Sequence, residues 1–252
     1  MKAPLKSNVA FRSIAEVKRL IPVESSVNSF LFYNGEVETS LAATGRKVMA
    51  HTNRYAIYEF WMHLLTDRHS LASAAAHIYP TIDDAQYYFL QEDWNTYKDP
   101  KLRAALFFIM NRSSSTGLVS SGELRRENFN PASFALLKRF DIENLYPVFD
   151  KKEDLIQNIA NAQPAEYTLV PVGKYALNLF DYGKSRAADI APVHHRNLAK
   201  FVSEAEQKIV LLYKKHPALF DLYNGHNIQM VDPHGRLTDD TEKCDEVIIA
   251  NF

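Results

Sequence analysis

Apolar residues in this chain fall into short continuous runs separated by stretches of helical spacing, and the alternation predicts an α/β protein. A run at 29–33 (SFLFY) ends on Asn34-Gly35, as a buried strand meeting a turn does. Residues 46–50 form a second short strand candidate. Over 53–65 the apolar positions recur at helical spacing through Ile57, Phe60, Trp61 and Leu64. A short helix at 13–20, stopped by Pro22, precedes them. Strand, turn, strand and helix in that order suit the opening of a doubly wound sheet.

The middle third changes character. Residues 70–77 and 83–94 read as helices, and 100–110 is a helix that opens on Pro100. Residues 111–130 (NRSSSTGLVSSGELRRENFN) are polar and turn-rich, which predicts a loop or irregular hairpin. Asn130-Pro131 then opens a helix over 132–140. Alternation returns in the last third. Strands are predicted at 145–149, 167–172, 208–213, 228–231 and 246–252, with helices at 152–162, 195–205 and 218–223 between them. The expected organisation is one α/β domain (1–69 and 141–252) with an inserted helical and loop region (70–140), closing on an antiparallel strand pair.

At 252 residues, 46% of them hydrophobic and 23% charged, the chain is long enough for a full-sized core. A net charge of −1 gives no global field towards nucleic acid or acidic lipid, so any DNA contact must come from a local basic patch. The single cysteine, Cys244, excludes an internal disulfide and a Cys-based zinc site. No signal-peptide run and no 18-residue apolar stretch occurs, so the expectation is a cytoplasmic protein without a membrane span. No metal site is expected. His194-His195 are adjacent and point apart on a helix, so capping or packing is the expected role of His195. Tyr87, Tyr88, Phe89, Phe107 and Phe108 are expected in the core. Cys244 sits beside Asp245 and Glu246, a setting that does not activate a thiolate.

Four segments, in order, carry a family resemblance. They are Phe32-Tyr33-Asn34-Gly35 followed by 48–53; the stretch 107–118 (FFIMNRSSSTGL); the tetrad Val170-Pro171-Val172-Gly173; and the tail, with HRNLA, IVLLY, DLY and EVIIANF. Together they resemble the Dam-type adenine DNA methyltransferases over nearly the whole length. The resemblance implies a methyltransferase-like, Rossmann-type sheet with an inserted helical lobe. It implies an S-adenosylmethionine pocket at Phe32, Asn34, Gly35 and His51, and DNA contacts from Arg112, Ser113, Arg125 and Arg126. It is also compatible with a phage or mobile-element origin.

The departures fall where the chemistry lies. The family's Asp-Pro-Pro-Tyr is Val170 to Gly173 here, so the side-chain acceptor for the adenine amino group and the ring that stacks on a flipped base are both missing. Its N-terminal Lys-Trp-x-Gly-Gly-Lys is represented by residues 6–11 without either glycine. Asn34 replaces the first glycine of the Phe-x-Gly-Gly turn. His51 aligns with the acid that would hold the cofactor ribose, and an imidazole does not offer a diol two acceptors. The nearest other tetrads, Asp232-Pro233-His234-Gly235 and Asn130-Pro131-Ala132-Ser133, are out of position. The expectation is therefore a catalytically inactive homologue with no cofactor, acting as a DNA-binding or protein-interaction factor. The alternative is an active S-adenosylmethionine-dependent adenine methyltransferase.

Overall fold

The computed structural model describes residues 3–7, 9–119, 122–175 and 193–252. Asn8 and Ser120-Ser121, within the N-terminal and loop segments singled out above, lie outside the described residues.

Five parallel strands form the centre. β1 (Ser26–Ser29) lies between β2 (Lys47–Thr52) and β4 (Tyr167–Gly173); β3 (Leu145–Phe149) flanks β2, and β5 (Lys208–Lys214) flanks β4. β6 (Asn227–Val231) and β7 (Glu246–Ala250) pair antiparallel with each other, and β7 joins β5 antiparallel. The described strands make one seven-stranded sheet in the order β3-β2-β1-β4-β5-β7-β6. That is a doubly wound order with its switch point between β1 and β4, closed by an antiparallel edge: the methyltransferase-like, Rossmann-type fold that the sequence predicts.

Side chains alternate across the sheet into two cores. Val48, Ala50, Leu169, Val210, Leu212 and Ile248 join one, packed by α1 (Ile14–Leu20), α2 (Glu36–Ala42), α3 (Tyr55–Ile78) and α5 (Pro100–Ser113). Phe30, Val170, Ile209, Leu211, Val247 and Ile249 join the other, under α7 (Leu155–Asn161), α8 (His195–Glu204) and α9 (Ala218–Leu222). Strands buried on both faces read as continuous apolar runs, which is why YTLVPV and KIVLLY are legible as strands. Two further helices, α4 (Asp84–Asp93) and α6 (Pro131–Lys138), complete the segment between β2 and β3.

Several boundaries differ from expectation. The first strand covers 26–29, not 29–33, because Leu31 takes a positive φ of 58°. The chain beyond it leaves the ladder: Phe30 N donates to Leu169 O at 2.9 Å, and Phe32 N turns to the other neighbour, His51 O, at 2.9 Å. The helices expected at 53–65 and 70–77 are one, α3, broken only at Asp67 (φ −149°, ψ 61°). The boundary placed between 69 and 70 thus falls inside α3, and Leu71, Phe107, Phe129 and Leu137 share a core with the sheet. α5 runs on to Ser113. Beyond it, the described residues of the loop pair as a hairpin, bridged at Ser114 and Leu124, with Ser115 N donating to Glu123 O at 2.9 Å, and a 3-10 turn follows at Arg126–Asn128.

The two ends of the described chain meet at Glu246, whose carboxylate is fully buried. It accepts from Arg12 N at 2.7 Å, Ser13 N at 2.8 Å and Lys214 Nζ at 2.6 Å. Ser13 makes no side-chain cap of its own, so a distant strand satisfies the amides that lead into α1. Glu246→Ala should lower stability by about 2–4 kcal/mol, because three donors lose a buried acceptor. A urea midpoint within error of wild type would show that the N-terminal segment is not anchored there.

Candidate ligand site at the strand ends

In open α/β sheets, ligands sit outside the carboxyl ends of the strands at the switch point. Here that region is built from residues 30–35 after β1, the end of β2, Asp150 after β3 and the end of β4. The N-terminal segment crosses it.

The turn after β1 uses Gly35 at φ 73° as the residue before α2. A Cβ on Gly35 would meet Trp61 Cζ2 at 2.4 Å and Cη2 at 2.5 Å, so the indole lies directly on the glycine. Phe32 is buried and packs against Trp61 with ring centroids 4.8 Å apart; Trp61 Nε1 donates to Tyr33 O at 2.8 Å. Asn34 closes the turn by accepting from Glu36 N at 3.3 Å. The expected cofactor positions Phe32, Asn34 and Gly35 are therefore brought together, but aromatic side chains fill the space against the glycine.

At the end of β2, His51 is buried and stacked on Phe30 with a centroid separation of 4.4 Å. Its Nδ1 lies 3.0 Å from Asp150 Oδ1, and its Nε2 lies 3.4 Å from Asn28 Oδ1. His51 is engaged by protein on both nitrogens and is not presented as a ligand for a diol. Asp150 was missed in the sequence. Its signal is an acid placed immediately after the β3 run LYPVF.

Behind the end of β1 lies a second buried acid. Glu38, in the first turn of α2, accepts from Ser29 Oγ at 2.7 Å. Burial pushes its carboxyl above the usual range; the Ser29 hydrogen bond opposes that only in part.

The tetrad closes β4. Val170 is completely buried in the core beneath α7 and α8. Gly173 adopts φ 82° at a register shift between β4 and β5, and a Cβ there would lie 3.2 Å from Val9 Cγ1. Val170 packs in the core where the resemblance implied a polar acceptor, and at 173, where it implied an aromatic ring, the backbone and Val9 both favour glycine. Pro171 and Val172 are half-buried.

The backbone brings the four DNA-contact candidates together, with Arg125 N donating to Ser113 O at 2.7 Å, but their side chains differ in availability. Ser113 is fully buried, which removes it as a DNA contact: α5 extends through it and turns it inward. Arg112 is half-buried on the last turn of α5. Arg125 pairs with Glu123 at 2.9 Å, and Arg126 Nη2 donates to Ile82 O at 2.5 Å. Two aromatics also depart from expectation. Tyr88 and Phe89 are 52% and 62% exposed, because Tyr87 and Leu90 take the inner face of the peripheral α4. Tyr87, Phe107 and Phe108 are in the core. His195 packs as expected, its Nδ1 3.0 Å from Tyr213 Oη. Burial pushes the Cys244 thiol upward.

An open cleft of about 560 Å³ lies at the opposite end of β5, where Val202, Ser203 and Ala205 face residues 224–227. Ser203 Oγ is 3.3 Å from His226 Nε2, but His226 Nδ1 meets the Tyr223 carbonyl rather than a carboxylate. Position and chemistry both favour the strand ends as the candidate site. Among the described residues no group of three or more His, Cys, Asp or Glu is placed to hold a metal ion, and no helix is long and apolar enough to cross a membrane.

No family model matches the chain, and no curated protein matches it. Among solved structures it is similar to a TehB-like SAM-dependent methyltransferase from Corynebacterium glutamicum ATCC 13032 Kitasato, with a TM-score of 0.40 at 7% identity over 97% of this chain and 88% of that chain. A likeness at that level supports no functional statement, and the fold stands on its strand order.

Two outcomes follow from this geometry. Val170→Asp with Gly173→Tyr should lose about 3–5 kcal/mol, from a buried carboxylate and a strained, overpacked turn. A double variant as stable as wild type in urea would show that the end of β4 opens into a cleft. Glu38→Gln should be more stable than wild type at neutral pH, since it keeps the Ser29 acceptor without the cost of burying an ionisable carboxyl. Because the folded pKa is raised, wild type loses stability as pH rises from the ordinary glutamate range through the folded value. The Gln advantage should therefore vanish at acidic pH, and a pH-independent difference in Tm would exclude this origin.

Proposed function

We propose that the chain is a methyltransferase-like binding protein that does not transfer methyl groups. The observation that carries this reading is the end of β4: Val170 is sealed in the core where the resemblance calls for a polar acceptor, and Gly173 is held at positive φ against Val9. Trp61 over Gly35 and the His51–Asp150 pair support it, since both occupy positions a cofactor would need. On this reading S-adenosylmethionine binds weakly or not at all.

Of the two non-catalytic roles, DNA binding and protein interaction or assembly, the distribution of side chains favours the second. Of the candidate arginines, Arg125 is paired with Glu123 and Arg126 is bonded to the Ile82 carbonyl, and Ser113 is buried. The most exposed aromatic pair, Tyr88 and Phe89, shares α4 with exposed Asp84 and half-buried Asp93, a poor surface for a phosphate backbone. A cytoplasmic location belongs to the same reading, and a phage or mobile-element origin rests on the resemblance alone.

The test is turnover of the wild-type protein with labelled S-adenosylmethionine on adenine-containing DNA, with calorimetric titration of the same cofactor. The expected outcome is no incorporation and no tight binding. A dissociation constant in the low micromolar range, or label in DNA, would revive the active adenine methyltransferase. DNA affinity, if measured, should lack the steep salt slope that phosphate contacts produce.

A further inference from the structure

We propose that Lys6 and Arg112, two half-buried cations beside the 114–124 hairpin, form a binding site for a single phosphoryl group. Asn111, buried at the end of α5, builds the site. Its Oδ1 accepts from Lys6 N at 2.7 Å, and its Nδ2 donates to Lys6 O at 3.1 Å and Gly117 O at 2.6 Å. The Lys6 stem crosses Gly117, where a Cβ would lie 3.3 Å from Lys6 Cβ. The Lys6 backbone is thus held against the end of α5, one residue from Arg112.

Neither cation has an ion-pair partner among the described residues, and Arg112 Nε is buried with no hydrogen-bond acceptor. Arg54 and Arg68 also leave a buried Nε without an acceptor, but Arg68 pairs with Asp141 through Nη1, and Arg46 and Arg103 are bonded to the Ile21 and Lys18 carbonyls and to Glu59. Burial lowers the pKa of Arg112; burial and then the Arg112 charge lower that of Lys6, and Glu127 opposes them. The carboxyl end of the α5 dipole favours a cation here, but a field does not supply the acceptor that Nε lacks. Buried charges are normally paired, and the missing partner is an anion.

The charge count selects its class. A phosphate monoester carries about −1.5 to −2 at neutral pH and offers three acceptor oxygens, which matches a guanidinium and an ammonium carried on neighbouring stretches of backbone. A carboxylate would leave one cation uncompensated. A duplex backbone needs a row of cations, whereas Arg125 and Arg126 are engaged elsewhere and Glu127 stands beside Lys6. The site does not depend on whether the strand ends support chemistry, so it stands or falls separately from the non-catalytic reading.

Calorimetric titration of the full chain with inorganic phosphate tests it. Wild type should bind phosphate, and Lys6→Gln and Arg112→Met should each weaken binding by about tenfold or more. In phosphate-free buffer Arg112→Met should melt at or above the wild-type temperature, because it removes an unpaired charge; a purely structural arginine would give the reverse. Ribose 5-phosphate and a short single-stranded oligonucleotide with and without a 5′-phosphate separate the sources. Binding of the sugar phosphate alone indicates a small ligand, and oligonucleotide binding that requires the 5′-phosphate indicates a strand end. Absence of phosphate binding by wild type, unchanged affinity in both variants, or a marked fall in melting temperature for Arg112→Met without phosphate would each overturn the proposal.

Discussion

The contact between Trp61 and Gly35 sets the geometry of the strand ends. A doubly wound sheet normally keeps the backbone after its first strand open to a ligand, and glycine there permits close approach. In this protein the indole takes that approach for itself, at 2.4 Å from where a Cβ would stand, and its N–H satisfies the Tyr33 carbonyl. Trp61 comes from α3, where it also meets Phe60 and Phe140 edge-on. The turn that starts α2, the seating of α3 and the packing of the helical segment onto the sheet are therefore coupled through one side chain.

The polar groups at the strand ends are satisfied internally to the same degree. His51 is bracketed by Asp150 and Asn28, and Glu38 by Ser29. Groups already paired in a low-dielectric setting gain little from a new ligand, because binding must first break what they have. At the hairpin the position is reversed. Asn111 has a full set of partners, while Lys6 and Arg112 form no ion pair among the described residues, so the electrostatic demand of this face lies at the periphery rather than at the switch point.

Much of the fold was legible because the governing signals are local. LYPVF, YTLVPV and KIVLLY announce strands through apolar runs, and Asp83 with Gln86 forms the capping box that starts α4. Illegible features depend on conformation or on distant partners. Nothing in SFLFY shows that Leu31 turns to positive φ and ends the ladder at Ser29. In RSSST the composition suggests a loop, yet the apolar face at 104–110 carries α5 through Ser113. The absence of a polar side chain at 170 was readable from residue type, but the burial of Val170 and the contact of Gly173 with Val9 were not. Lys6 and Arg112 meet only because residues 6 and 111 bond across 105 positions.

On the reading proposed here, these features share one physical direction. Catalytic and ligand-binding strand ends hold strained backbone and uncompensated polar groups, and they persist only while function requires them. Once a polar acceptor is no longer needed, an aliphatic side chain at 170 gains burial without a desolvation penalty. A tryptophan against Gly35 gains area that a departing ligand leaves exposed. Each replacement stabilises the sheet and makes ligand entry harder, so neither change is readily reversed alone. A protein altered in this way keeps its scaffold and must place any new binding function where unsatisfied groups remain, which here means the hairpin cations and the exposed aromatic face of α4.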